Sequence, residues 1–366
     1  MKQTIDVAAY IWPSYTGQEP RTRIFWPDGE GEWQTVRKAQ AKFEGHQWPR
    51  KPLLGYQDEA DPAVMEQQIE LAVSHGVNVF IYDWYWYDRR PFLENCLNDG
   101  FLKARNCGRM KFCLMWANHD ANHLWDRRLS DTVGSTVIWQ GKTPDFRIIG
   151  KRWLEKYFLL DNYYRVDGKP LVAIYDLKNF VDSFDSLEDA AENMRWLDEE
   201  ARKAGLPGVH FQLIYWNAAS TNLSGVDGGE KDEKQLLKLP FSSITHYQFV
   251  HFTNIDRPYP QVRQDVLKEW DRLKKEVPMA YYPHVSLGWD NNPRFLSLKP
   301  GILTENTPDN VEVMLRDARA RAEAAGVPMV TINSWNEWTE GSYLLPDDLY
   351  GYGYLEKVKK VFIDEA

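Results

Sequence analysis

Short apolar runs alternate along the chain with longer stretches in which apolar residues return every three or four positions. Runs that are apolar almost throughout, and rich in β-branched and aromatic residues, mark strands buried on both faces. They predict strands at Val7–Pro13, Val77–Trp86, Phe112–Asn118, Pro170–Asp176, His210–Trp216, Ser242–Tyr247, Ala280–Trp289 and Met329–Trp338. Helix ends are signalled between them. Asp61-Pro62 offers a cap and an N1 proline before Val64, Met65, Ile69, Ala72 and Val73, and Gly76 follows the last turn. Ser186 with Asp189 resembles a capping box for a helix running to Gly205, and Asp309 opens another that ends near Gly326.

Eight strand–helix alternations in 366 residues predict an α/β fold, a single (β/α)8 TIM barrel spanning 1–366. A doubly wound nucleotide-binding sheet fits less well, because no Gly-x-Gly-x-x-Gly follows the first strand. Three long connections, Ser14–Asp61, Asn217–Pro240 and Asp290–Pro308, each follow a predicted strand. In a barrel they are long βα loops on the C-terminal face, where such folds carry their sites.

The aromatic content sharpens this picture, with 16 Trp, 19 Tyr and 16 Phe in the chain. The strand ends carry Trp12; Asp83, Trp84 and Trp86; Asn118 and His119, with Trp125 shortly after; Tyr175; Trp216; Tyr247; and Trp289. Any one of these is explained by core packing. Eight strands ending alike predict a shared pocket instead. Rings cover the apolar faces of a sugar and polar side chains meet its hydroxyls, so carbohydrate is the expected partner.

The last strand carries the sharpest signal, Trp335-Asn336-Glu337-Trp338-Thr339-Glu340-Gly341, with Tyr343 just beyond. Glycosidic bonds are broken by paired carboxylates. Glu337 and Glu340 are therefore the candidate catalytic pair. A carboxyl pressed against indole loses hydration and its pKa rises, as a general acid requires.

Charge and the remaining motifs mainly exclude. A net charge of −9 speaks against a nucleic-acid partner, and no run of roughly 18 apolar residues predicts a membrane span. The N-terminus lacks the apolar region of a secretory signal, so the cytoplasm is expected, or an exported location if a leader has been removed. Cys96, Cys107 and Cys113 match neither a disulfide framework nor a zinc pattern and read as core or near-core thiols. His119 and His123, at i, i+4 spacing, lack a clear third ligand, so neither a metal nor another cofactor is expected. Asp347-Asp348 reads as a solvated turn and Lys357–Lys360 as a helix face or tail.

The motifs together resemble those of the WbsX-like proteins, relatives of glycoside hydrolase family 99. The matching blocks are Phe43-Glu44-Gly45-His46-Gln47-Trp48-Pro49-Arg50, Leu54-Gly55-Tyr56-Gln57-Asp58, Asp61 through Ile69, Ala72 through Val77, Trp116-Ala117-Asn118 and Trp335 through Gly341. The resemblance spans nearly the whole chain. It implies a (β/α)8 barrel and, by analogy with the best-understood relatives, retaining α-mannosidase-type chemistry. Glu337 would then assist attack by the sugar 2-hydroxyl on the anomeric carbon, giving a 1,2-anhydro sugar. Glu340 would protonate the leaving oxygen and later activate water. His46, in the first long loop, is a candidate for the pocket rim, and Asn336 a hydroxyl binder. One position departs from the pattern: a glutamate often follows Trp-Ala-Asn in these proteins, whereas this chain has His119 and Asp120. Mannose is therefore not carried over. Two other readings stay open, a glycosyltransferase of surface polysaccharide assembly and a non-catalytic carbohydrate-binding barrel.

Overall fold

The computed structural model describes residues 5–132, 134, 136–220 and 233–365. Its central sheet is built from β1 (Asp6–Ile11), β2 (Val79–Tyr87), β3 (Lys111–Trp116), β4 (Lys169–Ile174), β5 (His210–Ile214), β6 (Ser243–Thr245), β7 (Ala280–Tyr281 and His284–Ser286) and β8 (Met329–Asn333). Each pairs in parallel with its neighbours, and β1 pairs with both β2 and β8. The first half of β7 pairs with β6 and the second half with β8. Pro283 lacks an N–H and interrupts that strand. Its flanks keep the ladder, since Tyr282 N–H donates to Ile244 (2.8 Å) and Thr331 N–H to the Pro283 carbonyl (2.9 Å). The ring thus closes on itself as the predicted barrel.

All eight predicted strands form, and their ends differ. Met329–Trp338 stops being a barrel strand at Asn333, and Asn336–Glu337 pairs antiparallel with Ser342–Tyr343. Asp61 caps the helix Pro62–Ser74 by accepting from Ala63 N–H (2.9 Å). Ser186 caps Leu187–Lys203 by accepting from Asp189 N–H (3.1 Å). The helix Pro308–Ala325 is capped by Thr307, so Asp309 lies inside its first turn rather than opening it.

The loop after β3 is longer than the sequence reading allowed and carries a small hairpin, Ala121–Asn122 against Val137–Trp139. Much of the predicted connection Asn217–Pro240 lies outside the described residues. Cys96 and Cys113 are buried and Cys107 half-buried, all as free thiols. Asp347 is no solvated turn residue: it is buried, accepts the Tyr343 hydroxyl (2.6 Å) and caps the Leu349 and Tyr350 N–H groups. Among the described residues no helix is long and apolar enough to cross a membrane.

Candidate active site

The chain leaves β8 at the mouth of the barrel and folds back at once. Ser334 makes the turn, its hydroxyl accepting Glu337 N–H and donating to the Ser342 carbonyl, both at 2.7 Å. Gly341 closes the turn with φ +64, a conformation that a side chain would strain. Asn336 is locked against β1, accepting Trp12 N–H (2.8 Å) and donating to the Trp12 carbonyl (2.9 Å) and to Glu59 (2.8 Å). The buried Trp335 donates to Gln68 (2.8 Å), and Trp338 stacks on Tyr343 at 3.9 Å. These residues aim Glu337 and Glu340 at the barrel axis.

Both carboxyls line a cavity of about 450 Å³, together with Trp12, Asp83, His119, Trp125, Tyr175, Trp216 and Tyr247 from the predicted set. His46 and Trp289 line a neighbouring cavity of about 350 Å³ instead. Trp84, Trp86, Asn118, Trp335, Asn336 and Tyr343 do not reach the first cavity at all. For Trp84 and Trp86 the cause is strand alternation. Asp83 and Tyr85 face inward, while Trp84 and Trp86 face the outer layer and donate to Glu94 (2.7 Å) and Asp145 (3.0 Å). The Asn118 amide is spent on Asp176, donating to its carbonyl (2.7 Å) and accepting its N–H (2.8 Å).

At the centre of the acidic wall sits a residue that sequence reasoning missed. Arg294 donates to Glu32 (3.0 Å), Glu337 (2.7 Å) and Glu340 (2.8 Å) from three different nitrogens. Glu32 is fully buried and also receives Trp12 Nε1, Ser14 and Thr339. Burial and the nearby Glu340 charge push Glu337 well above the usual carboxylate range, and Arg294 opposes them. Glu340 is raised by burial against the same guanidinium, and its Oε2 has no hydrogen-bond partner. In such a pair the protons leave in steps that belong to both groups. On β2, one strand away from β8 across β1, burial and the nearby Glu340 charge hold Asp83 well above its ordinary range, with Tyr247 hydroxyl (3.0 Å) on one oxygen and nothing on the other.

His119 faces the cavity, and burial lowers its pKa from the ordinary value. His119 lies just before the hairpin and His123 opens a short 3-10 turn inside it, so the two do not share an α-helix, and His123 Nδ1 accepts Thr136 N–H (2.9 Å). Among the described residues no three His, Cys, Asp or Glu side chains are arranged to hold a metal ion. Tyr85, Asp120, Asn122, Asp176 and Asn179 also line the cavity without having been singled out. Of these, Tyr85 could have been found by counting alternate positions from Asp83. Arg294 and Glu32 sit in loops with no periodic pattern to flag them.

A family model described as glycosyltransferase WbsX matches residues 7–358. The chain belongs to that family. Two curated relatives, both described as uncharacterized protein WxcX, come from Xanthomonas campestris pv. campestris strains ATCC 33913 and B100. Each is 29% identical over 356 residues, which are 93% of this WbsX-family chain and 47% of the relative. The chain thus spans about half the length of the curated relatives it matches. Among solved structures it is similar to the GH99 endo-α-mannosidase from Bacteroides thetaiotaomicron, with a TM-score of 0.61, 16% identity, and coverage of 99% and 98% of the two chains. A glycoside hydrolase-like protein matches with a TM-score of 0.60, 15% identity, and coverage of 98% and 94%. At such identities the likeness establishes a shared barrel fold.

Proposed function

We propose that this WbsX-family chain is a glycoside hydrolase that cleaves a polysaccharide or complex glycan with retention of configuration. One observation carries the reading. The buried Glu337 and the half-buried Glu340 share a single guanidinium, and they face a cavity walled by Trp12, Trp125, Tyr175 and Trp216. Similarity to the B. thetaiotaomicron GH99 enzyme supports the same direction.

In this reading Glu340 carries the proton on its unpartnered oxygen and passes it to the glycosidic oxygen as the bond to the anomeric carbon breaks. Glu337 takes the proton of the sugar 2-hydroxyl, whose oxygen closes on the anomeric carbon to give a 1,2-anhydro sugar. Water deprotonated by Glu340 then opens that ring, and Glu337 returns its proton to the 2-oxygen. Arg294 opposes the burial that raises both carboxyls, and a pair that titrates in steps can hold one proton between its members, so that one donates while the other accepts.

A glycan-library hydrolysis screen tests the reading, with Glu337→Gln and Glu340→Gln as controls. The expected result is turnover of one glycan class by the parent and a loss of about two to four orders of magnitude in each variant. Parental rates in both variants would refute the assignment. The family's description names a transferase, which must hold an activated sugar donor. Calorimetric binding of a nucleotide-sugar, with no hydrolysis across the library, would establish that alternative instead.

A further inference from the structure

The neighbouring cavity contains a buried cation that the proposed chemistry leaves unused. Arg50 is 7% exposed and lines this second cavity with His46, Trp289, Phe43 and Tyr350. Its Nε donates to the Gln47 carbonyl (3.2 Å) and one terminal nitrogen to the Tyr343 hydroxyl (3.3 Å). The guanidinium lies over the Trp48 ring, 4.9 Å from its centroid. Among the described residues no carboxylate forms an ion pair with it. A buried arginine lacking a direct counter-ion is costly unless something supplies the charge.

The nearby acids are already engaged. Asp290 accepts His46 Nε2 (2.7 Å) and Trp48 Nε1 (2.6 Å) on one oxygen, and Asn292 N–H (3.1 Å) and side-chain amide (2.8 Å) on the other. Lys42 N–H donates to His46 Nδ1 (3.0 Å), which fixes Nε2 as the donor to Asp290. Asp347 is hydrogen-bonded to Arg50 through the Tyr343 hydroxyl, and its charge acts on the guanidinium from a distance without forming an ion pair. Aromatic surface completes the cavity: Phe43 is 47% exposed and stacked on His46 at 4.5 Å, and Trp289 is half-buried.

We propose that this second cavity is a subsite for an acidic sugar, a glycan unit whose carboxylate pairs with Arg50 while its ring faces meet Trp289 and Phe43. The sugar part rests on the glycan reading above; the charge part does not. A guanidinium presents N–H pairs that match a carboxylate in two parallel bonds. One guanidinium balances a monoanion, whereas a phosphate dianion would leave excess negative charge beside Asp290. The subsite adjoins the reacting pair. Glu340 lines one cavity and Gly341 the other, and Asp290 N–H donates to the Glu340 carbonyl (2.6 Å) through the wall between them.

Calorimetry on the full chain tests this, with glucuronate and galacturonate as probes against glucose, galactose and inorganic phosphate. Both Arg50→Gln and Phe43→Ala are compared with the parent, after melting curves confirm folding. The expected result is uronate binding that neutral sugars do not show, weakened about tenfold or more by Arg50→Gln, as loss of a charge-assisted pair requires. Phe43→Ala, on an exposed ring, should weaken it about threefold and serves alone if Arg50→Gln does not fold. Glu340→Gln should bind uronate as the parent does. Absence of uronate binding, affinity unchanged in Arg50→Gln and in Phe43→Ala, or phosphate bound more tightly than uronate would each overturn the subsite. Uronate binding without hydrolysis of any library glycan would refute the hydrolase and leave the subsite standing. Hydrolysis with no uronate bound would do the reverse.

Discussion

Two walls of the first cavity carry buried carboxyls, and they differ in what neutralises them. On one, Glu32, Glu337 and Glu340 converge on Arg294. On the other, Asp83 has the Tyr247 hydroxyl and no cation. Burial raises Glu337, Glu340 and Asp83 alike, but only the first wall has a charge pulling back. The difference separates roles. In the proposed hydrolase, the wall with the guanidinium would exchange a proton, while the wall without it, where burial favours the uncharged form of Asp83, would donate to a sugar hydroxyl.

Removing Arg294 should break that contrast with the largest effect. Arg294→Met leaves three buried carboxyls without a counter-ion, and a loss of about 3–5 kcal/mol is expected from urea unfolding at pH 7. The loss should shrink at pH 5, where Glu337 and Glu340, raised by burial, hold protons more readily, and glycan turnover should fall in the variant. A variant as stable as the parent at both pH values would mean that Arg294 does not set the electrostatics of its wall.

A second test lies beneath the acidic wall. Burial pushes Glu59 up to about 8, against hydrogen bonds from Asn336 and Gln68. A carboxyl raised in the folded state keeps its proton there after the unfolded chain has lost it. Its stabilising effect is full below the ordinary value of 4.5 and disappears as pH rises toward about 8. Glu59→Gln should abolish that loss, so its advantage over the parent should grow with pH across this window, by up to about 5 kcal/mol. Parallel pH–stability curves for the two proteins would show that Glu59 does not titrate this way.

Asp83→Asn should do less. The amide oxygen can still accept from Tyr247, so stability at pH 5 should stay within about 1 kcal/mol of the parent. The KM for the glycan should rise about tenfold with a smaller change in kcat. Equal loss of kcat and kcat/KM would place Asp83 in the chemistry instead. The smallest effect is expected at Trp86→Phe, which removes the indole bond to Asp145. Thermal unfolding should report about 1 kcal/mol, with KM unchanged. Trp125→Phe, in the cavity, should raise KM.

Those two tryptophans show what the sequence could and could not reveal. The eight strands were legible because apolar runs of strand length stand out against amphipathic helices. Trp12, Tyr175 and Trp216 line the cavity just past their strand ends, where the sequence pattern points, and Trp125 reaches it from the longer loop after β3. Trp84 and Trp86 share the end of β2 but face outward, because side chains alternate along a strand and Asp83 and Tyr85 take the inward positions. The end of β8 was overextended because Ile332 through Trp338 reads as apolar and aromatic, and only the Ser334 hydroxyl reveals the reversal. Arg294 stayed hidden for a different reason. Its partners lie 43, 46 and 262 positions away on two other loops, and no local pattern encodes those distances.

The proton on Glu340 is the claim most open to direct measurement. Once the library supplies a cleaved glycan, kcat/KM of Glu340→Gln should be compared on that glycan and on an aryl glycoside of the same sugar. An activated phenol leaves without a proton, so the variant should lose about two to four orders of magnitude on the glycan and far less on the aryl substrate. Equal losses on both substrates would contradict the assignment of Glu340 as the acid.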